Sequence, residues 1–177
     1  MSRLYYHLSR FNDFDIDLCQ ACNDLSRTPA VRDVFRLFSR LGDGVFWYTL
    51  MTFLLVAFQG EALRPVLHMI GVGLVSTLIY KLIKHKTLRP RPFNVYPSII
   101  CTGNTLDQFS FPSGHTLHAV SFSIVAISYF PFLAPLLVPF SLLVAVSRPV
   151  LGLHYPSDVL MGALLGSVIT ALSFQLL

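Results

Sequence analysis

The stretch from Ser147 to Asp158, near the C-terminal end, holds the side chains best suited to chemistry. It reads SRPVLGLHYPSD and places Arg148, His154 and Asp158 between two apolar runs. The chain is 54% hydrophobic and 12% charged. In such a chain, ionisable groups at the edge of an apolar run indicate a functional site rather than a role in packing alone. His154 and Asp158 are four residues apart, so on a helix they would lie on one face. The carboxylate could then bond one imidazole nitrogen and leave the other free to react.

Two further segments carry polar groups that suit the same chemistry. Lys84 to Pro92 reads KHKTLRPRP, a basic run that contains Arg91. Phe111 to His115 reads FPSGH and leads from a loop into an apolar run. The free N–H groups of a helix that starts there can bind an anion, and Gly114 lets the ligand approach the backbone closely. Ser113 can add a hydroxyl donor and His115 an imidazole.

Each segment alone also has an ordinary structural interpretation. The basic run could anchor anionic head groups, Ser113 could be only a helix N-cap, and His154 with Asp158 could be a surface pair. Together, however, the segments supply three cations, one anion-binding helix start and two histidines. These are the groups that phosphoryl transfer needs: cations that neutralise the phosphate, a nucleophile and a proton donor. No carboxylate cluster suited to two metal ions accompanies it, so we predict no metal site and no cofactor.

The composition is that of an integral membrane protein. The 177-residue chain has a mean hydropathy of +0.63. Several of its apolar runs approach the roughly 20 residues that are needed to cross a bilayer. These values exclude an ordinary soluble globule. The three cysteines give no disulfide framework, and the Cys19–Cys22 pair lacks the second pair that a zinc site needs.

We predict an all-α integral membrane helical bundle of about five spans, preceded by N-terminal amphipathic helices. The spans follow from the apolar runs and their breaks. They are 44–60, 63–83, 115–130, 132–147 and 156–176, with a polar, proline-rich loop over 84–111. Pro139 should kink the fourth span. Two glycine pairs, Gly71 with Gly73 and Gly162 with Gly166, should let neighbouring helices approach the second and fifth spans closely.

The first 43 residues alternate charged and apolar side chains. Their pattern predicts a helix over about 13–25 and an amphipathic helix over 29–41, with Thr28 as its N-cap and Pro29 at its first position. These helices could lie on the membrane surface or pack against the bundle, and the two arrangements are compatible. We therefore predict a single domain, 1–177, with an amphipathic region over 1–43 and a catalytic bundle over 44–177.

Five spans determine which polar segments can meet. Because successive spans alternate in direction, the 84–114 loop, the start of the third span, the end of the fourth and the start of the fifth share one face. Residues 1–43 lie on that face too. The three polar segments are thus expected to converge at one membrane boundary.

In this order and spacing, the three segments closely resemble the three-part signature of the type 2 phosphatidate phosphatase family. The matching residues are Lys84-x6-Arg91-Pro92, Pro112-Ser113-Gly114-His115 and Ser147-Arg148-x5-His154-x3-Asp158. The wider superfamily includes bacterial acid phosphatases, glucose-6-phosphatase and vanadium haloperoxidases. The membrane branch usually has one more span than this chain, in which the amphipathic 1–43 region stands in place of the first.

The resemblance implies a role for each matched residue. His154 attacks phosphorus and forms a phosphohistidine, Asp158 orients His154, and His115 protonates the leaving oxygen and then activates water. The groups implied to hold the phosphate oxygens are Lys84, Arg91, Ser113, the Gly114 N–H and Arg148. Members of the membrane branch need no metal.

A site at the end of a membrane bundle suits an amphiphile whose tail stays in lipid. We therefore expect a lipid phosphate as substrate, the bilayer as partner, and no nucleic acid. The resemblance allows prenyl diphosphates such as undecaprenyl diphosphate, phosphatidylglycerophosphate and phosphatidate. The compact size resembles that of bacterial members, and among these lipids we favour a prenyl diphosphate, although no single residue selects it. Two rival interpretations are a phosphotransferase, in which a lipid acceptor replaces water, and a non-catalytic protein that only binds anionic lipid.

The distribution of lysine and arginine predicts the orientation. On the predicted topology, all of these residues except Arg64 lie on the catalytic face, twelve of thirteen. Three of the twelve, Lys84, Arg91 and Arg148, have a catalytic reason to be there, which leaves nine against one. The positive-inside rule then predicts a cytoplasmic catalytic face, in a bacterial inner membrane.

Overall fold

The fold is known from a computed structural model that describes residues 3–105 and 107–176, with side chains described from residue 12 onward. Within these residues the chain forms eight α-helices and no β-strand, so the predicted all-α bundle is confirmed. The helices are α1 (Arg3–Asp24), α2 (Pro29–Arg40), α3 (Phe46–Phe58), α4 (Gly60–Thr87), α5 (Pro92–Val95), α6 (Gly114–Tyr129), α7 (Ala134–Val150) and α8 (Pro156–Ser173).

The five predicted spans all appear as helices, namely α3, α4, α6, α7 and α8. Four stretches are long and apolar enough to cross a membrane: Pro29–Phe58, Gly60–Thr87, Pro131–Val150 and Pro156–Ser173. The predicted third span, α6, has only 16 residues. It packs against α4, α7 and α8 at the centre of the bundle. Protein therefore surrounds α6 on several sides.

The helix ends place the polar segments differently from the sequence prediction in one respect. Helix α4 continues to Thr87, past the predicted end at Ile83, so Lys84 lies in the last helical turn. The chain leaves the helix at Leu88, which has a left-handed backbone conformation, with φ of 49°. The predicted loop therefore starts here, and it contains the short helix α5. Pro139, which should kink the fourth span, lies inside a continuous α7.

The N-terminal region is part of the bundle. Helix α1 starts well before the predicted position, and α2 has Thr28 and Pro29 at the predicted positions, although the Thr28 side chain makes no capping hydrogen bond. A π-helical segment, Leu41–Val45, joins α2 to α3, with Gly44 at φ of 134°. The predicted boundary between 43 and 44 thus falls inside a kinked helical stretch. Both α1 and α2 pack against α7. Of the two predicted arrangements, packing against the bundle is therefore the one that is seen.

The apolar surfaces divide between a packed core and an outward face. In the core, the ring of Trp47 lies 5.4 Å from that of Phe140 and 5.2 Å from that of Phe122. Large aliphatic side chains remain exposed on several helices, among them Leu74, Leu142 and Leu160. An exposed apolar face on nearly every long helix fits a bilayer as solvent.

Glycines allow α8 to lie directly on the start of α6. A Cβ at Gly162 would be 2.5 Å from the carbonyl oxygen of Ser113, and one at Gly166 would be 2.6 Å from that of Leu117. The predicted small-residue seam on the fifth span is confirmed. On α4, a Cβ at Gly73 would be 2.9 Å from the Phe122 ring, but Gly71 faces open space. The expectation for Gly71 was therefore wrong, because this residue points away from the helices that pack on α4.

Gly162→Ala is expected to lower the free energy of unfolding by about 1–3 kcal/mol, because the added methyl group meets backbone atoms of Ser113 that cannot move alone. Gly71→Ala is the matched control, since the same change in open space leaves the packing intact and favours helix. The measurement is thermal unfolding of the purified full chain in one detergent. Equal melting temperatures for the two variants would contradict the close contact.

Candidate active site

The three polar segments meet at one end of the bundle, as the topology predicts. Direct backbone contact joins the second and third: the N–H of Ser113 donates to the carbonyl oxygen of Asp158 at 3.0 Å. The first segment reaches the third through Arg91, whose guanidinium donates to the carbonyl oxygen of Leu153 at 2.8 Å. Residues distant in sequence thereby surround a single cavity of about 340 Å³.

Six of the eight predicted site residues line this cavity. They are Lys84, Arg91, Gly114, His115, Arg148 and His154. Ser113 and Asp158 are completely buried just behind its wall. The structure therefore brings all eight predicted residues into one site, six of them in reach of a ligand and two as support.

His154 is buried beside Asp158 and close to cations. Its Nδ1 atom lies 3.6 Å from Asp158 Oδ2, and its Nε2 atom lies 3.4 Å from an Arg91 nitrogen. The first distance is longer than a hydrogen bond, and His154 Nδ1 has no hydrogen-bond partner among the described residues. Burial, and then the charges of Arg148, Arg91 and Lys84, hold the pKa of His154 well below its usual value. The ring is therefore neutral, and a neutral imidazole nitrogen is a nucleophile.

The geometry of His154 and Asp158 differs from the predicted one. His154 precedes α8, which begins at Pro156, so the two residues do not share a helix face. Asp158 instead folds back over the helix start, where its Oδ2 accepts from the Tyr155 N–H at 2.9 Å. This capping arrangement brings the Asp158 carboxylate close to the His154 ring, because the hydrogen bond to the Tyr155 N–H turns Asp158 back toward the residues before the helix.

Two of the predicted cations share one carboxylate. The Lys84 ammonium donates to Asp107 at 2.7 and 2.9 Å, and Arg91 donates to the same carboxylate at 2.8 Å. Burial alone would raise the pKa of Asp107, but the hydrogen bond and charge of Lys84, and then Arg91, outweigh it and hold that pKa below its usual value. Asp107 is thus ionised and bridges the two cations.

Arg148 is the cation left available. It is 1% exposed, and its NH1 group donates to Ser39 Oγ at 2.5 Å. Among the described residues it has no carboxylate within ion-pair distance, and its buried Nε has no hydrogen-bond partner. A buried guanidinium in this state is costly unless an anion completes its contacts. Arg148 therefore indicates an anion site in the cavity.

The start of α6 contributes a helix N-terminus and His115. The Ser113 Oγ caps the helix, 3.5 Å from the Thr116 N–H and 2.9 Å from the Thr116 hydroxyl. Ser113 is therefore the N-cap of α6. Its side chain is buried behind the backbone of Gly114, which lines the cavity. The His115 Nε2 atom contacts an oxygen of Asp43, from the π-helical segment.

Four charged residues of this region were missed by the sequence analysis. Asp43 contacts His115, Asp107 bridges two cations, and Arg89 with Asp15 supports Asp158. Asp15 and Asp43 stand in the N-terminal charge pattern, where nothing distinguishes them from exposed neighbours. Arg89 repeats the Arg-Pro pair of Arg91, which was a usable signal. Among the described residues, no group of three His, Cys, Asp or Glu side chains could hold a metal ion.

The cavity continues from this polar end into an apolar cleft between α3 and α4. Its walls there include Tyr48 and Met51 from α3, and Ile70 and Leu74 from α4. The cavity can thus take a ligand that is charged at one end and apolar at the other.

Comparison with known proteins identifies the family. Residues 62–177 match the model of the PAP2 superfamily. The Undecaprenyl-diphosphatase of Sulfolobus acidocaldarius is 27% identical over 92% of this chain and 78% of that protein. The Decaprenylphosphoryl-5-phosphoribose phosphatase of Mycobacterium tuberculosis is 35% identical over 58% of this chain. The match spans only 56% of the mycobacterial protein.

Two solved structures share the fold. A transmembrane PAP2 type phosphatidylglycerolphosphate phosphatase from Bacillus subtilis has a TM-score of 0.76 and 25% identity, over 94% of this chain and 86% of that one. LpxE of Aquifex aeolicus has a TM-score of 0.75 and 26% identity, over 90% of this chain and 93% of that one. The resemblance seen in the three sequence segments is therefore confirmed across most of the molecule, and the chain is a membrane protein that belongs to the PAP2 superfamily.

Proposed function

We propose that the protein is a metal-independent lipid phosphatase that removes a terminal phosphate through a phosphohistidine on His154. The observation that carries the proposal is the unpartnered Nε of the buried Arg148, in the same cavity as the neutral His154 ring. A bound anion would complete the contacts of the cation, and His154, the proposed nucleophile, lines the same cavity. The phosphatase names of the relatives from three organisms point the same way.

The reaction proceeds in two displacements. The Nε2 lone pair of His154 attacks phosphorus, the bond from phosphorus to the lipid oxygen breaks, and His115 gives its proton to that oxygen. Water then attacks the phosphohistidine, His115 takes a proton from the water, and the phosphorus–nitrogen bond breaks to release phosphate. Asp158 stabilises the positive charge that forms on the His154 ring, and Asp43 contacts the His115 ring that transfers the proton.

The phosphate oxygens are held by the cationic groups and the α6 helix start. Arg148 contributes its guanidinium, which lines the cavity, and Lys84 and Arg91 contribute donors that now face Asp107. The Gly114 N–H adds a backbone donor at a helix N-terminus. Ser113 acts by capping that helix and so by fixing the direction of its N–H groups.

A lipid rather than a soluble ester is favoured by the apolar cleft between α3 and α4. An acyl or prenyl chain can lie there while its phosphate reaches the cations. Among lipids we propose a prenyl diphosphate such as undecaprenyl diphosphate. A relative carries that name and covers most of this chain. The alternative is phosphatidylglycerophosphate or phosphatidate, which the names of a Haemophilus influenzae relative and the B. subtilis structure support.

His154→Ala is expected to lower kcat by at least about 10³-fold, because it removes the nucleophile. The control is His85→Ala, which makes the same change at an exposed histidine and should leave activity intact. Release of inorganic phosphate from lipid micelles is measured with and without EDTA. Activity that persists in His154→Ala contradicts the mechanism, and strong inhibition by EDTA contradicts its metal independence.

A panel of undecaprenyl diphosphate, phosphatidylglycerophosphate and phosphatidate decides the substrate. We expect the highest kcat/KM for the prenyl diphosphate, measured as phosphate release by the purified full chain. A preference for phosphatidate would overturn the prenyl assignment while leaving the lipid phosphatase in place. Absence of release from every lipid, with His154 intact, would favour the non-catalytic interpretation.

The positive-inside count supports a cytoplasmic catalytic face in a bacterial inner membrane, and Cys101 can test this proposal. Cys101 is exposed, whereas Cys19 is buried and Cys22 is half-buried. In a Cys22→Ser background, we expect a membrane-impermeant maleimide to label inverted vesicles but not intact cells. Cys101→Ser in the same background is the control. Ready labelling of intact cells would show that the catalytic face is external.

A further inference from the structure

The N-terminal helix α1 reaches the support of the active site through one buried carboxylate. Asp15 is 3% exposed. Its Oδ1 accepts from the Ser157 N–H at 2.9 Å, and its Oδ2 accepts from the Ser157 hydroxyl and from Arg89 at 2.8 Å. The family match begins at residue 62, so Asp15 lies outside the part of the chain that carries the signature.

Arg89 connects Asp15 to Asp158. One end of its guanidinium donates to Asp15, and the NH1 group donates to Asp158 Oδ1 at 2.7 Å and to Ser157 Oγ at 2.8 Å. The guanidinium also lies over the Tyr155 ring, with its central carbon 4.0 Å from the ring centre. Its position is therefore fixed from three sides, and it can bridge two carboxylates at once because its donors form a planar fork.

The bridge determines which oxygen of Asp158 is available to His154. Arg89 occupies Oδ1, so Oδ2 is the atom that faces the Tyr155 N–H and the His154 ring. Asp158 is completely buried and cannot turn without breaking these contacts. The carboxylate is thus held in the one orientation in which it can bond His154 Nδ1.

The charges add a second reason for Asp15. If Arg89 paired with Asp158 alone, its positive charge would offset that carboxylate and weaken its hold on the histidine. With Asp15 as a second partner, two carboxylates share one guanidinium, and the group keeps a net negative charge beside His154. That charge stabilises the cationic phosphohistidine, which must form among Lys84, Arg91 and Arg148.

We propose that Asp15 and Arg89 are positioning residues that act through Asp158 on His154, so that α1 is part of the active-site support. The proposal rests on the proposed phosphohistidine mechanism. It concerns formation of the intermediate and not phosphate binding, because neither residue lines the cavity.

The test is Asp15→Asn in the purified full chain, with phosphatidate and undecaprenyl diphosphate in mixed micelles. We expect kcat to fall by about 10- to 100-fold, the range known for groups that orient metal-binding histidines, with KM changed less than about two-fold. Asp15→Glu should recover part of the loss because it keeps the charge. Asp17→Asn, an exposed change on the same helix, should behave as the wild type.

Two further variants separate charge from helix docking. Ser157→Ala removes hydroxyl bonds to Asp15 and Arg89 but leaves both charges, so its kcat should fall much less than that of Asp15→Asn. Arg89→Lys keeps a positive charge but loses the fork, so its kcat should fall without a matching rise in KM. Arg89→Lys also provides a test if Asp15→Asn does not fold.

Three results would overturn the proposal: wild-type kcat in Asp15→Asn, wild-type kcat in Arg89→Lys, or equal losses of kcat and melting temperature in Asp15→Asn and Ser157→Ala. The last would show that Asp15 only docks α1. His154→Ala distinguishes failure of this inference from failure of the proposed phosphatase mechanism. If His154→Ala is inactive while Asp15→Asn has normal activity, the mechanism stands and only the positioning role of Asp15 is refuted.

Discussion

Three cations buried together at the end of an apolar bundle are the constraint around which the polar structure is arranged. Lys84, Arg91 and Arg148 are each 5% exposed or less. Removing such an ion from water costs several kcal/mol even after relaxation. The surrounding groups offset that cost: Asp107 from the loop, carbonyl oxygens of Phe109 and Leu153, and the Ser39 hydroxyl from α2. The buried cations therefore account for the carboxylate, carbonyl and hydroxyl groups that surround them in the site.

The same constraint explains how the helices must pack. The cations sit on α4, on the loop that follows it and on α7, and α6 packs against α8, α4 and α7. Glycine at positions 162 and 166 permits this contact, and the bond from Ser113 N–H to the Asp158 carbonyl fixes its register. A helix separation larger by one methyl group would move the histidine of one segment away from the cations of another.

Local signals made much of this arrangement predictable. The apolar runs and their proline and glycine breaks indicated the five main helices, and the three polar segments indicated the eight site residues. The misses have a common physical origin. Asp15 and Ser157, Asp43 and His115, and Lys84 and Asp107 are joined across long stretches of chain, and such pairs leave no periodic pattern in the sequence. Hydropathy does not tell lipid contact from protein contact, so the sequence does not reveal that α6 packs against α4, α7 and α8.

The position of Asp107 has a consequence for selection among the lipids of a membrane. Its carboxylate already accepts hydrogen bonds from both Lys84 and Arg91, so a ligand that uses these donors must compete with an internal anion. A phosphodiester carries a single negative charge and gains little over a carboxylate. A terminal phosphate carries up to about two charges and three acceptor oxygens, and it binds such donors more strongly. Under the proposed function, Asp107 would therefore favour a terminal phosphate over the diester phosphate of ordinary phospholipids.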